Sequence, residues 1–234
     1  MVTPTMRQKY PHTPEQILAY DSNKLRETFD YQGEEKVRLA INELFRIVSE
    51  VTHVPSEALP ERLGFQAKNP DRDSFQALLA VMRTIVMLHH LGFVEITPLP
   101  PKRKRKEADL SAMRQDVKFA VEVLRTNEDQ PRHPSLELGE YIAKNYRSDT
   151  KPEDSKMRQL DATMHHHSCS KAIFVVVFDS YSNSQFSQNE LEEAAGYAFG
   201  AMGFPDNTHL LIFTGILDDV TGENGLAIFP ELLP

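Results

Sequence analysis

The stretch EADLSAMRQDVKFAVEVLR, residues 107–125, places two acids where a hairpin would bring them together. Asp109 stands between Ala108 and Leu110, Glu122 stands between Val121 and Val123, and a polar turn lies between them. Strand side chains alternate with period two, so the pairing can be worked out residue by residue. If Asp109 lies opposite Glu122, then Leu110 pairs with Val121, Ser111 with Ala120, and Ala108 with Val123. Ala108, Leu110, Val121 and Val123 would bury one face. The two carboxylates would meet on the other, with β-carbons about 4.5–5.5 Å apart. Like charges placed so closely are destabilising unless one is neutralised. A divalent cation bound by both would do this, and hard cations such as Mg²⁺ take oxygen ligands. The competing reading is a sheet face open to water, where acids are ordinary.

The elements around the hairpin bear on that choice. EEKVRLAINELFRIVSEV sets Val37, Ile41, Leu44, Phe45 and Val48 on one helical stripe. PSEALPERLGFQAKNPDRD, broken by prolines, reads as a connector with one short helix. DSFQALLAVMRTIVMLHHLGF reads as an apolar helix ending at Gly92. FVEITPL, KEADLSA and KFAVEVLR follow as strands. HPSLELGEYIAKNYR and KPEDSKMRQLDATMHHH are expected helices, each with proline near its first turn. AIFVVVFDS and HLLIFTG read as strands buried on both faces. Between them, SQNELEEAAGYAFGAMGF opens on a capping box, Ser187 to Glu190. The expected fold is α/β, a mixed central sheet with helices on both faces. Residues 1–70 form an N-terminal helical extension and 71–234 the core domain. Such a sheet has few open faces, so an acidic pair on it suggests a cleft.

Composition narrows the class. The 234 residues are 40% hydrophobic and 26% charged, as expected for a globular chain. A single cysteine, Cys169, excludes an internal disulfide and favours a reducing, intracellular compartment. The first residues lack the apolar run of a secretory signal, and runs such as AIFVVVF are too short to span a bilayer. A net charge of −8 excludes nucleic-acid binding through the overall field, so any such contact must be local. The basic run Lys102, Arg103, Lys104, Arg105 and Lys106 is one such patch. It suits a phosphate backbone, a nuclear-localisation signal if the source is eukaryotic, or a solvated loop.

With these elements in order, the chain resembles the PD-(D/E)XK, restriction-endonuclease-like superfamily of metal-dependent nucleases over residues 73–215. The resemblance rests on the order of helix, β-meander, helix and strand, with Asp109 on the second strand and Glu122 on the third. It implies an αβββαβ core plus an extra αβ unit, Mg²⁺ or Mn²⁺ held by Asp109 and Glu122, and the peptide oxygen of Val123 as a further ligand. The implied activity is hydrolysis of DNA or RNA phosphodiesters. Two positions depart from the family pattern. Ala108 replaces the proline before the aspartate, and Leu124 replaces the lysine two residues after the glutamate. Some members supply that lysine from the following helix. Lys156 is the first candidate here, with Gln159 three residues on and sharing its face near the nucleic acid. Lys144 is the second. Lys118, four residues from Glu122, lies about 13 Å away at strand rise, too far to help. The alternative is a catalytically degenerate nuclease fold that binds nucleic acid or protein. A homo-oligomer or a protein partner stays open.

Other motifs read more simply. Consecutive histidines in MHHHSC point about 100° apart on a helix, so they suit a helix end better than a zinc site. His89 and His90 are read the same way. Cys169 reads as a buried structural thiol and Asp179 as a turn cap.

Overall fold

The computed structural model describes residues 34–65, 72–99, 107–126, 134–147, 155–178, 187–214 and 226–232. Helices α1 (Glu34–Thr52), α2 (Leu59–Arg62) and α3 (Arg72–His90) precede the meander β1 (Val94–Pro98), β2 (Leu110–Arg114) and β3 (Val117–Thr126). Helices α4 (Pro134–Arg147) and α5 (Lys156–His167), strand β4 (Lys171–Phe178), helix α6 (Gln188–Met202), and strands β5 (Thr208–Thr214) and β6 (Leu226–Phe229) follow. The strands form one six-stranded sheet in sequence order. The β1–β2, β2–β3 and β5–β6 pairs are antiparallel, while β3–β4 and β4–β5 are parallel. The protein is therefore a mixed α/β fold, as its sequence indicates. Among the described residues, no helix is long and apolar enough to cross a membrane.

Alternation along the strands builds two cores. Leu110, Phe119, Val121, Val123, Ile173, Val175 and Leu211 face α1 and α3, meeting Ile41, Phe45, Met82 and Ile85. Ala120, Ala172, Phe174, Val176, Leu210 and Ile212 face α4, α5 and α6, meeting Ile142, Tyr146, Leu160 and Ala194. With both faces covered, β4 and β5 have no water-facing side, which explains their unbroken apolar runs.

Local signals set the element ends. The two-residue hairpin loop between Arg114 and Val117 puts Gln115 at φ 49° and Asp116 at φ 61°, matching the strand twist. Gly92, at φ 80°, stops α3 while its N–H and that of Phe93 close the last carbonyls. The capping box at the start of α6 is present in both directions, between Ser187 and Glu190. One proline signal is displaced: α5 starts at Lys156, capped by Ser155, whereas Pro152 lies outside the described residues. The short edge strand β6 carries no sequence signal that distinguishes it.

Candidate metal and catalytic site

The hairpin register matches the sequence reading, with Leu110 opposite Val121 and Ser111 opposite Ala120. Beyond Leu110 the ladder stops, and here the structure departs from expectation. Ala108 does not join Leu110 and Val123 on their face. It packs in the opposite core with Ala120 and Leu160. The cause is a contact from another element: the Ala108 N–H donates to the Thr163 hydroxyl of α5 at 2.7 Å. Asp109 stays tied to the β1 side, its carbonyl accepting the Leu99 N–H at 2.8 Å, while its side chain turns to the edge of β3 and accepts the Val123 N–H through Oδ2 at 2.8 Å. The two acids thus converge at the strand end rather than facing each other across a continuing sheet.

Glu122 points to the α5 side, level with Phe174 on β4. Its side chain is only 1% exposed. There it forms an ion pair through Oε1 with Lys156 Nζ. Among the described residues, its Oε2 is buried without a hydrogen-bond partner. Burial, and then the charge of Asp109, push the Glu122 carboxyl up to about 8, although Lys156 opposes the shift. Burial also raises Asp109, against the Lys156 charge and the Val123 N–H. For Lys156, burial pulls the ammonium down, but Glu122 and Asp109 outweigh it and hold the group above the ordinary lysine range. The lysine is therefore a cation at any physiological pH.

Lys156 is the first residue of α5, and the Ser155 hydroxyl accepts the Arg158 N–H at 3.3 Å to set that start. Ser155→Ala should cost about 1 kcal/mol of unfolding free energy in a denaturant titration, the usual loss for a helix cap. An unchanged midpoint would mean that the cap does not fix Lys156.

Asp109 and Lys156, though not the buried Glu122, line a cavity of about 280 Å³, where they and Val123 and Arg125 meet an apolar wall from Leu63, Phe65 and Ala77. Arg125 was not among the sequence candidates, though alternation already puts it on the face of Val123. Gln159 lies on α5 within one turn of Lys156, half-buried. Lys144 is exposed on α4, and Lys118 sits at the hairpin end of β3. Lys102, Arg103, Lys104, Arg105 and Lys106 lie outside the described residues, as does Asp179.

The histidine run does more than end a helix. His166 Nδ1 and His167 Nε2 approach the two oxygens of Glu107 at 3.5 and 3.2 Å. Together with Thr163, they fasten residues 107 and 108 to α5. His89 and His90 are exposed in the last turn of α3. Cys169 is a buried free thiol, as its sequence context suggests.

Among the described residues, no three His, Cys, Asp or Glu side chains are gathered to hold a metal. An ion at this site would have two carboxylates, and Mg²⁺ commonly takes only one or two while keeping several waters. Two observations fit such an ion: the orphaned Oε2 of Glu122 and the hard oxygen character of the donors. A peptide oxygen adds to them. Successive peptide groups along a strand alternate sides, so the Val123 carbonyl points to the same edge as its N–H. That edge is where β2 has ended. Compared with known proteins, the sequence matches no family model and no curated protein.

Proposed function

We propose that the protein is a divalent-metal-dependent nuclease of the PD-(D/E)XK type, hydrolysing phosphodiester bonds of DNA or RNA. The observation that carries this reading is the Glu122 carboxylate, which is buried beside Asp109 with one oxygen on Lys156 and the other unpaired. A buried charge deficit of this kind is costly for structure alone and suits a site that receives a cation. Asp109, Glu122 and the Val123 peptide oxygen would hold Mg²⁺ or Mn²⁺, which supplies a Lewis acid for phosphate charge and an activated water.

The chain's own groups then have separate tasks. Asp109, anchored by the Val123 N–H through one oxygen, keeps the other for an ion. Lys156 takes the place that Leu124 leaves empty, reaching the site from α5. Because its ammonium keeps its proton, Lys156 orients the attacking water or a phosphate oxygen by donation rather than acting as the base. Arg125, on the cavity wall, suits a phosphate oxygen on the scissile group or its neighbour. The apolar wall excludes bulk water and strengthens these interactions. An intracellular setting accords with the lone buried thiol of Cys169.

The test combines calorimetry with cleavage. Wild type should bind Mn²⁺ and cut at least one of single- or double-stranded DNA or RNA, while Asp109→Ala should lose both. Binding without cleavage of any of the four substrates would favour a degenerate nuclease fold serving as an interaction module. Absence of Mn²⁺ binding would end the nuclease reading.

A further inference from the structure

We infer that Thr163 is a positioning residue whose hydroxyl holds the Val123 peptide oxygen open to the metal site. The inference rests on the nuclease reading above and assigns a task to a residue whose hydroxyl bonds Ala108 and Gln159. In an antiparallel ladder, pairs that exchange both backbone bonds recur every second residue. The Val123 N–H points toward the β2 side, where it meets Asp109 Oδ2. Val121, two residues earlier, therefore points the same way and forms a bonded pair with Leu110. Continuing by one period, Ala108 would donate its N–H to the Val123 carbonyl and seal it.

Thr163 prevents this. Its hydroxyl accepts the Ala108 N–H at 2.7 Å and donates to the Gln159 carbonyl at 2.8 Å, so both its hydrogen and an acceptor pair are committed. Thr163 is fully buried, which removes water as a competitor for that hydroxyl. Ala108 is drawn to the α5 side, the Asp109 side chain caps the Val123 N–H while the Asp109 carbonyl stays bonded to the Leu99 N–H, and the Val123 carbonyl stays on an edge that lines the cavity. One hydroxyl thus arranges a carboxylate and a peptide oxygen together.

Thr163→Val keeps the side-chain shape and removes the acceptor, and Thr163→Ser keeps the hydroxyl. In wild type, a through-hydrogen-bond NMR coupling between the Ala108 nitrogen and the Val123 carbonyl carbon should be absent. It should appear in Thr163→Val and stay absent in Thr163→Ser. Mn²⁺ affinity measured by calorimetry should fall about 10- to 100-fold in Thr163→Val, the usual scale for a group that orients a ligand. Thr163→Ser should bind close to wild type. A coupling already present in wild type would overturn the inference even if the valine variant failed to fold. Equal Mn²⁺ binding by wild type and Thr163→Val would overturn it while leaving the nuclease reading intact. No Mn²⁺ binding by wild type would remove both.

Discussion

Above pH 8, where Glu122 is ionised, Lys156→Met should lower the unfolding free energy by about 3–5 kcal/mol, the cost of removing one partner from a buried ion pair, and by less near pH 6, where the carboxyl holds its proton. The Glu122 side chain is 1% exposed and its Oε2 has no hydrogen-bond partner among the described residues, so the lysine is the main charge compensating it. Methionine retains the length and apolar character of the stem, which confines the loss to the ammonium. The double variant Glu122→Gln, Lys156→Met should recover a large part of the loss, because neither charge is left buried alone. Function should separate from stability. Cleavage should fall by about two orders of magnitude or more, as when one preorganised electrostatic donor is lost. Mn²⁺ affinity should hold or rise, since the ammonium is itself a cation at the carboxylate. Chemical denaturation, calorimetry and a cleavage assay on the same preparations check all three. If Lys156→Met were as stable as wild type, the pair would not be what makes Glu122 tolerable.

The sequence carried these expectations as far as local periodicity reaches. The hairpin register was legible because strand alternation and a two-residue turn leave only one pairing that buries Leu110 with Val121. The runs of β4 and β5 were legible because strands covered on both faces have no polar side to show. Lys156 could be placed because helical spacing put it beside Gln159 after the predicted meander. The same rule of alternation failed at Ala108, because it applies only while the ladder continues. The ladder ends through a hydroxyl 55 residues further on, at Thr163, which no nearby pattern announces. Thr163 does share a helical stripe with Lys156, Leu160 and His167, so its side of α5 was readable although its partner was not. Glu107 was missed for a similar reason, because its imidazole partners come from the far end of α5. Strand β6 is too short for alternation to stand out, and it rests on its pairing with β5.

The metal-free protein should become less stable as pH rises from about 5 to 8, the reverse of the usual behaviour of a carboxylate held by ion pairs. The sign follows from proton counts. In the unfolded chain Glu122 titrates near 4.5, while burial and Asp109 push it up to about 8 in the folded state. Between those values the folded state carries more bound protons, so raising the pH favours unfolding. Lys156, held above the lysine range, loses its contribution only at still higher pH, beyond this window. Asp109 shifts in the same direction as Glu122, and the two titrate as a unit. A divalent ion reverses the balance, because ligation needs the ionised carboxyl. Mn²⁺ binding should therefore release about one proton near pH 6–7 and none above pH 9, with affinity rising about tenfold per pH unit below 8. Calorimetry in buffers of different ionisation enthalpy counts that proton directly. Thermal melts with saturating Mn²⁺ should show the decline from pH 5 to 8 flattened or inverted. Mn²⁺ binding without proton uptake or release across this range would place the ion somewhere other than Glu122.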